Sequence, residues 1–134
     1  MAHYRIADAA RLLGVSDDTV RRWVNSGALA VTKDQAGHQV IDGGDLAARA
    51  KQIAVLPEDP SGIASSARNR FVGLVTEVVS DTVMSQVELQ CGPYRLVSLM
   101  STEAVRDLGL VPGSLAVAVV KSTMVIVETP GTGG

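Results

Sequence analysis

Val83-Met84-Ser85-Gln86-Val87-Glu88-Leu89-Gln90 alternates between two kinds of side chain. Val83, Ser85, Val87 and Leu89 fall on one face, and Met84, Gln86, Glu88 and Gln90 on the other. That period of two belongs to a strand with one face on a core. On the N-terminal side lies the valine-rich stretch Phe71 to Val79, a second strand. On the C-terminal side Gly92-Pro93 marks a turn, and Tyr94 to Met100, Leu115 to Val120 and Met124 to Glu128 read as further strands. Thr102 to Leu108 fits a short helix, capped by Ser101 or Thr102 and ended at Gly109, and Pro112-Gly113 turns the chain back into strand. Several short strands with one small helix predict a small barrel of the OB-like kind.

The first half has a different period. Tyr4, Ile6, Ala9, Ala10, Leu12 and Leu13 recur at helical spacing, and Gly14 is placed to stop that helix. Ser16 is a good N-cap for a second helix running to about Asn25, with Asp17 and Asp18 at the positive end of its dipole and Val20, Trp23 and Val24 on its apolar face. Val31 to Ile41 looks like a short hairpin turning at Gln35-Ala36-Gly37. Asp42 or Asp45 starts a third helix through Ile53. The expected fold class is therefore α+β, with a helical domain at residues 1–55, a proline-, glycine- and serine-bearing linker at 56–65, a barrel at 66–130 and a disordered tail at 131–134.

Composition narrows the functional classes. The 134 residues are 46% apolar but only 3% aromatic, so both cores must be aliphatic. The net charge of -2 divides unevenly: seven Lys/Arg against six Asp/Glu in residues 1–56, five against eight in residues 57–134. Neither half is strongly basic, so any nucleic-acid contact must come from a local patch or from patches added together in an oligomer. The single cysteine, Cys91, reads as a buried strand residue, and no metal-ligand cluster accompanies it, so no metal cation is expected. No nucleophile–base pair or phosphate-binding glycine loop is present, and no catalytic residue is assigned: the chain does not read as an enzyme. With no leader pattern and no apolar run of membrane-spanning length, the expected location is cytoplasmic, away from any membrane.

Tyr4 to Ser16 followed by Thr19-Val20-Arg21-Arg22-Trp23 resembles the helix-turn-helix of the MerR and excisionase families, and Gly37-His38-Gln39-Val40-Ile41 resembles its wing. A short turn at Gly14-Val15 would set two helices at a steep angle, so that the second projects into a major groove. The resemblance implies a winged helix-turn-helix that binds a double-stranded DNA operator. Its candidate contacts are Ser16, Thr19, Arg21 and Arg22, with Lys33 and His38 from the wing, where Gln39 and Val40 replace the arginines usual in the family. Trp23 shares the phase of Val20 and Val24 and is expected in the core.

Ser66-Ala67-Arg68-Asn69 and, some fifty residues later, Lys121-Ser122-Thr123 each flank a strand-like run. Together they gather hydroxyls, a guanidinium, an ammonium and turn amides without a carboxylate, a donor set suited to a fully deprotonated oxyanion. With Leu108-Gly109-Leu110 between them, they resemble the molbindin (Mop, TOBE-like) domain. The resemblance implies molybdate, or tungstate, as the ligand. Arg68 and Lys121 would offset its charge, Ser66, Ser101 and Ser122 would add hydroxyls, and Ala67 and Asn69 would complete the binding loop. It also implies sites shared between subunits, with Ser66 and Arg68 of one chain meeting Lys121 and Ser122 of another, hence a homo-oligomer of two chains at least and up to six. Glu77 and Glu103 should point away from such a site. The function expected is a molybdate- or tungstate-responsive transcriptional regulator; the alternative is a molybdate storage or homeostasis protein whose helical domain serves assembly or partner binding.

Overall fold

The structure is a computed structural model that describes residues 2–130; the expected tail at 131–134 lies outside the described residues. The chain divides into two compact units, Met1–Leu56 and Pro57–Gly134.

In the first unit the elements run β1 (His3–Arg5), α1 (Ile6–Leu13), α2 (Asp17–Asn25), β2 (Thr32–Lys33), β3 (Gln39–Asp42) and α3 (Gly43–Ile53). Gly14 ends α1 in the left-handed region at φ 68°, its N–H returned to the carbonyls of Ala10 and Arg11. Ser16 then caps α2, its Oγ accepting from the Thr19 N–H at 3.1 Å. Asp42 is the cap of α3, its carboxylate accepting from the Asp45 N–H at 3.1 Å. The hairpin forms as expected, but the sheet has a third strand: β1 pairs with β3, His3 opposite Asp42 and Arg5 opposite Val40. Tyr4 is thus strand and not the first turn of a helix, because a ladder to a distant partner overrides the local spacing. Ile6, Ala9, Ala10, Val20, Leu29, Ile41 and Leu46 form the buried core, with Trp23 and Val24 packed against it. Leu12 faces solvent instead.

In the second unit the elements are β4 (Asn69–Ser80), β5 (Met84–Cys91), β6 (Tyr94–Ser101), α4 (Thr102–Leu108) and β7 (Leu115–Val120), followed by one 3-10 turn at Ser122–Met124. The sheet is antiparallel with strand order β6-β5-β4-β7. β4 serves both neighbours. Its first half pairs with β7, Asn69 opposite Val120, and its second half with β5, Ser80 opposite Ser85. The register slips between Val75 and Glu77. That bulge frees Thr76, whose hydroxyl reaches the Glu88 carboxylate at 2.8 Å, and bulges of this kind bend a strand toward closure. Ser85, Val87, Leu89 and Cys91 of β5 point inward, as their alternation requires. The buried Ser85 hydroxyl is satisfied by Ser80 at 2.6 Å and Thr102 at 2.8 Å. Val83 lies in the turn before the strand and is exposed.

Two further results depart from expectation. Met124 to Glu128 joins no ladder, and its side chains are exposed. Residues 56–65, read as a linker, include Asp59 and Ser61, which are held to β4 through Arg70.

Gly73 lies next to the Leu74–Gln90 pair of β4 and β5, where the two strands leave no room for a side chain. A Cβ there would drive into the Gln90 carbonyl and the Cys91 sulfur. Gly73→Ala is expected to destabilise the barrel by about 1–3 kcal/mol, the usual cost of overpacking. Chemical denaturation followed at the sheet signal measures it; an unchanged midpoint would contradict this account of the close approach.

Candidate functional site

The register of β4 with β7 decides which donors meet. Asn69 lies opposite Val120, and its side-chain amide donates to the Val120 carbonyl at 3.1 Å. Residues immediately before Asn69 and immediately after Val120 therefore share one end of the ladder. Those residues are Ser66, Ala67 and Arg68 on one side, Lys121 and Ser122 on the other, and all belong to one chain. Ala67 is buried and its N–H donates to the Ser65 hydroxyl at 3.1 Å, which fixes the bend at Ser66. Lys121 is extended, with ψ 142°, and opens the 3-10 turn that carries Ser122.

Ser66, Arg68, Lys121 and Ser122 are exposed. Among the described residues, neither Arg68 nor Lys121 has an ion-pair partner. The neighbouring Arg70 is different. Its Nε donates to Asp59 at 2.7 Å and its terminal nitrogen to the Ser61 hydroxyl at 2.6 Å. The Asp59 carboxylate near this end of β4 is thereby already engaged by Arg70 and not by Arg68 or Lys121. Glu77 lies in the half of β4 paired with β5, opposite Glu88 and away from Asn69.

Ser101 is not brought to this cluster by the single chain. It sits opposite Met84 at the end of β6, and its hydroxyl accepts from the Ala104 N–H at 3.0 Å as the cap of α4, with Glu103 following in the first turn.

The Asp59–Arg70 clasp carries no sequence signal beyond an Asp-Pro-Ser turn. Arg70 holds the Asp59 carboxyl well below the usual carboxylate range, helped by the Ser61 N–H and hydroxyl. A carboxyl with a depressed folded pKa contributes its stabilisation above its ordinary pKa of about 3.9 and loses it as pH falls through the folded value. Arg70→Ala is therefore expected to raise amide exchange at Ser61 and Ile63, whose N–H groups bond to Asp59 and Ser61, near neutral pH. Wild type should show that loosening only in strong acid. Equal exchange in both proteins at neutral pH would show that the clasp holds nothing.

In the first unit the expected DNA contacts take unequal places. The Ser16 hydroxyl is occupied as a cap, and Thr19 bridges it at 3.0 Å to the Arg22 guanidinium at 3.1 Å. Arg21 leans toward Asp18 at 3.8 Å, both exposed. Lys33 is exposed on β2, opposite Gln39. His38 sits 3.6 Å from Asp34, whose other oxygen accepts from the Ala36 and His38 N–H groups at 2.9 Å each. Those bonds hold the wing turn and lower the Asp34 pKa, the His38 N–H first among the causes. His38 is thus turned to a carboxylate within the wing. A cleft of about 480 Å³ joins α2 to the wing, with Arg21, His38 and Gln39 on its walls and Arg5 beside them. Arg5 escaped the sequence reading because only the β1–β3 ladder carries it to the wing. Trp23 packs on the core, and Arg49 lies over its ring at 4.5 Å.

Comparison with known proteins divides the chain at the same place. A TOBE domain model matches residues 65–127 and a helix-turn-helix domain model matches residues 4–53. The molybdenum transport protein ModE of Herbaspirillum seropedicae is 36% identical over 70 residues, which are 52% of this chain and 26% of that protein. Molybdenum-pterin-binding protein 3 of Clostridium pasteurianum is 36% identical over 63 residues, 46% of this chain and 93% of that protein. Among solved structures, a molybdate binding protein from Sporomusa ovata shares 34% identity over 50% of this chain and 100% of its own, with a TM-score of 0.48. The chain thus spans about a quarter of the ModE relative's length and nearly all of the clostridial one. Through residues 65–127 the chain belongs to the TOBE (molbindin) family, joined to a helix-turn-helix domain at residues 4–53.

Proposed function

We propose that this chain is a molybdate-responsive DNA-binding regulator, acting as a homo-oligomer. Its barrel takes molybdate, or the similarly shaped tungstate, and its helix-turn-helix binds an operator. The observation that carries the reading is the pair Arg68 and Lys121, two exposed cations without a carboxylate partner among the described residues, at one end of the β4–β7 ladder and flanked by Ser66 and Ser122. Molybdate at neutral pH is an unprotonated dianion, which accepts hydrogen bonds and donates none. A cluster of donors such as this one suits a dianion of that kind. The likeness to a molybdenum transport protein and a molybdenum-pterin-binding protein supports the same ligand. The role is binding and not catalysis.

On the DNA side, Arg21 and Arg22 on α2 would meet phosphate and base edges, and Arg5 and Lys33 would add charge beside the wing. Regulation requires that the anion bind one arrangement of the oligomer more tightly than another, since only differential affinity shifts an equilibrium. The test is a titration of a duplex recovered by selection from random sequence, with and without saturating molybdate. The expected result is at least a fivefold change in DNA affinity, a coupling of about 1 kcal/mol. Identical curves would sink the regulatory reading, and they are what a storage protein gives.

A further inference from the structure

Asp59 lies eleven residues before Arg70 and is joined to it by an ion pair. The turn that presents it is pre-set. Pro60 follows, and one carboxylate oxygen accepts from the Ser61 N–H at 2.9 Å and from the Ser61 hydroxyl at 2.7 Å. The other oxygen accepts from the Arg70 Nε at 2.7 Å, and a terminal nitrogen of the same guanidinium donates to the Ser61 hydroxyl at 2.6 Å. The two side chains are 34% and 23% exposed, so the pair is better shielded than the Arg21–Asp18 pair on α2. Asp59 is a negative charge tied to the first turn of β4. Arg68 precedes Arg70 by two residues, about 7 Å of extended chain. On the facing strand Val119 lies opposite Arg70, and Lys121 follows it by two residues. Those separations are comparable to the Debye length, about 8 Å at physiological salt. A carboxylate clasped by Arg70 and a dianion held by Arg68 and Lys121 therefore feel each other, and they repel.

We propose that Asp59 is an internal counterion to the oxyanion site, clasped on Arg70 while the site is empty and released when a dianion occupies it. The inference rests on the oxyanion reading of Arg68 and Lys121. With the site empty, the field of those two cations adds to the pull of Arg70 on Asp59. A bound dianion cancels both charges and leaves the carboxylate to Arg70 alone. The coupling is reciprocal: the anion weakens the clasp by the same factor by which the clasp weakens anion binding.

The release has a consequence along the chain. Among the described residues, the first hydrogen bond from the segment after α3 into the sheet is made by Asp59 when the clasp is closed. When it opens, the first is made by Asn69, through its bond to the Val120 carbonyl. Anion binding thus lengthens the free chain between α3 and β4, and a signal from the barrel passes into the stretch that carries the helix-turn-helix.

The experiment is calorimetry of molybdate on the full chain, wild type against Asp59→Asn, with amide exchange at Ser61 and Ile63 followed with and without the anion. Asp59→Asn keeps the shape of the side chain and removes its charge. It should bind molybdate about fivefold more tightly, the lower end of the range for coupled sites. The gain should fade near 1 M salt, where the Debye length falls to about 3 Å. A gain that salt leaves untouched is steric and overturns the proposal. Glu58→Gln removes the neighbouring exposed charge and leaves the clasp intact, so affinity should stay within about twofold of wild type. A gain equal to that of Asp59→Asn would assign the effect to net charge and overturn the proposal as well. In the wild type, which needs no variant to fold, saturating molybdate should speed exchange at Ser61 and Ile63 at neutral pH, as acid does in the anion-free protein. If the wild type binds molybdate but its exchange is unchanged, or if Asp59→Asn binds no more tightly, the counterion role fails and the oxyanion reading stands. A wild type that binds no molybdate overturns both.

Discussion

Arg68→Ala and Lys121→Ala are each expected to weaken molybdate binding about ten- to a hundredfold, measured by calorimetry, with the barrel still folded. The figure follows from the loss of one charge-assisted contact, about 1.5–3 kcal/mol, with tenfold in affinity for every 1.4 kcal/mol. Both side chains are exposed and, among the described residues, have no ion-pair partner, so little effect on folding is expected from their removal. Two other arginines of the same unit serve as controls. Arg95 pairs with Glu88 at 2.7 Å on the β5–β6 face, and Arg95→Ala should change molybdate affinity less than twofold. Arg70, two residues from Arg68, is spent on Asp59, and its replacement should act on the clasp more than on the anion. If either Arg68→Ala or Lys121→Ala binds with wild-type affinity, the dianion is held elsewhere.

The ladder that unites these donors was only half legible in the sequence. Valine-rich runs and the alternation of residues 83–90 gave the strands of the barrel, and the capping residues Ser16, Asp42 and Ser101 gave the helix starts, because each of these is a local pattern. Pairing is not local. Nothing in the run Asn69 to Ser80 says that its first half takes β7 and its second half β5, yet that division puts Arg68 beside Lys121 within one chain. The family resemblance placed the two on different chains; the β4–β7 ladder brings them to one end of the sheet within a single chain. The same limit hid β1, which carries Arg5 to the wing, and the Asp59–Arg70 clasp, where a charged pair separated by a turn had no periodic signature. It also explains Ser101. As a hydroxyl next to a helix it fitted the donor set, but its bond to the Ala104 N–H is one that any helix start can use.

Val20→Asp is expected to abolish operator binding and to leave molybdate affinity within about twofold of wild type. Val20 is fully buried at the centre of the first unit's core, against Ile6, Ala10, Leu29 and Ile41. A carboxylate there has no partner, and an unpaired buried charge costs several kcal/mol. A unit of 56 residues has little to spare, since small domains bury proportionally less surface and domain stabilities start near 5 kcal/mol. The helical unit should therefore unfold, with loss of far-ultraviolet helical signal. The barrel has a separate core around Val75, Val87 and Leu89 and should keep its anion. Arg22→Ala is the milder companion: it removes one exposed guanidinium bonded to Thr19, so the fold should survive while DNA affinity falls about tenfold, the cost of one charge-assisted contact. Retained DNA binding in Val20→Asp would mean that the helix-turn-helix is not the element that reads DNA. Loss of molybdate binding in the same variant would mean that the barrel depends on the helical unit for its fold. Only a protein that fails on DNA and succeeds on the anion fits a sensor built from two independently folded parts, coupled through the oligomer.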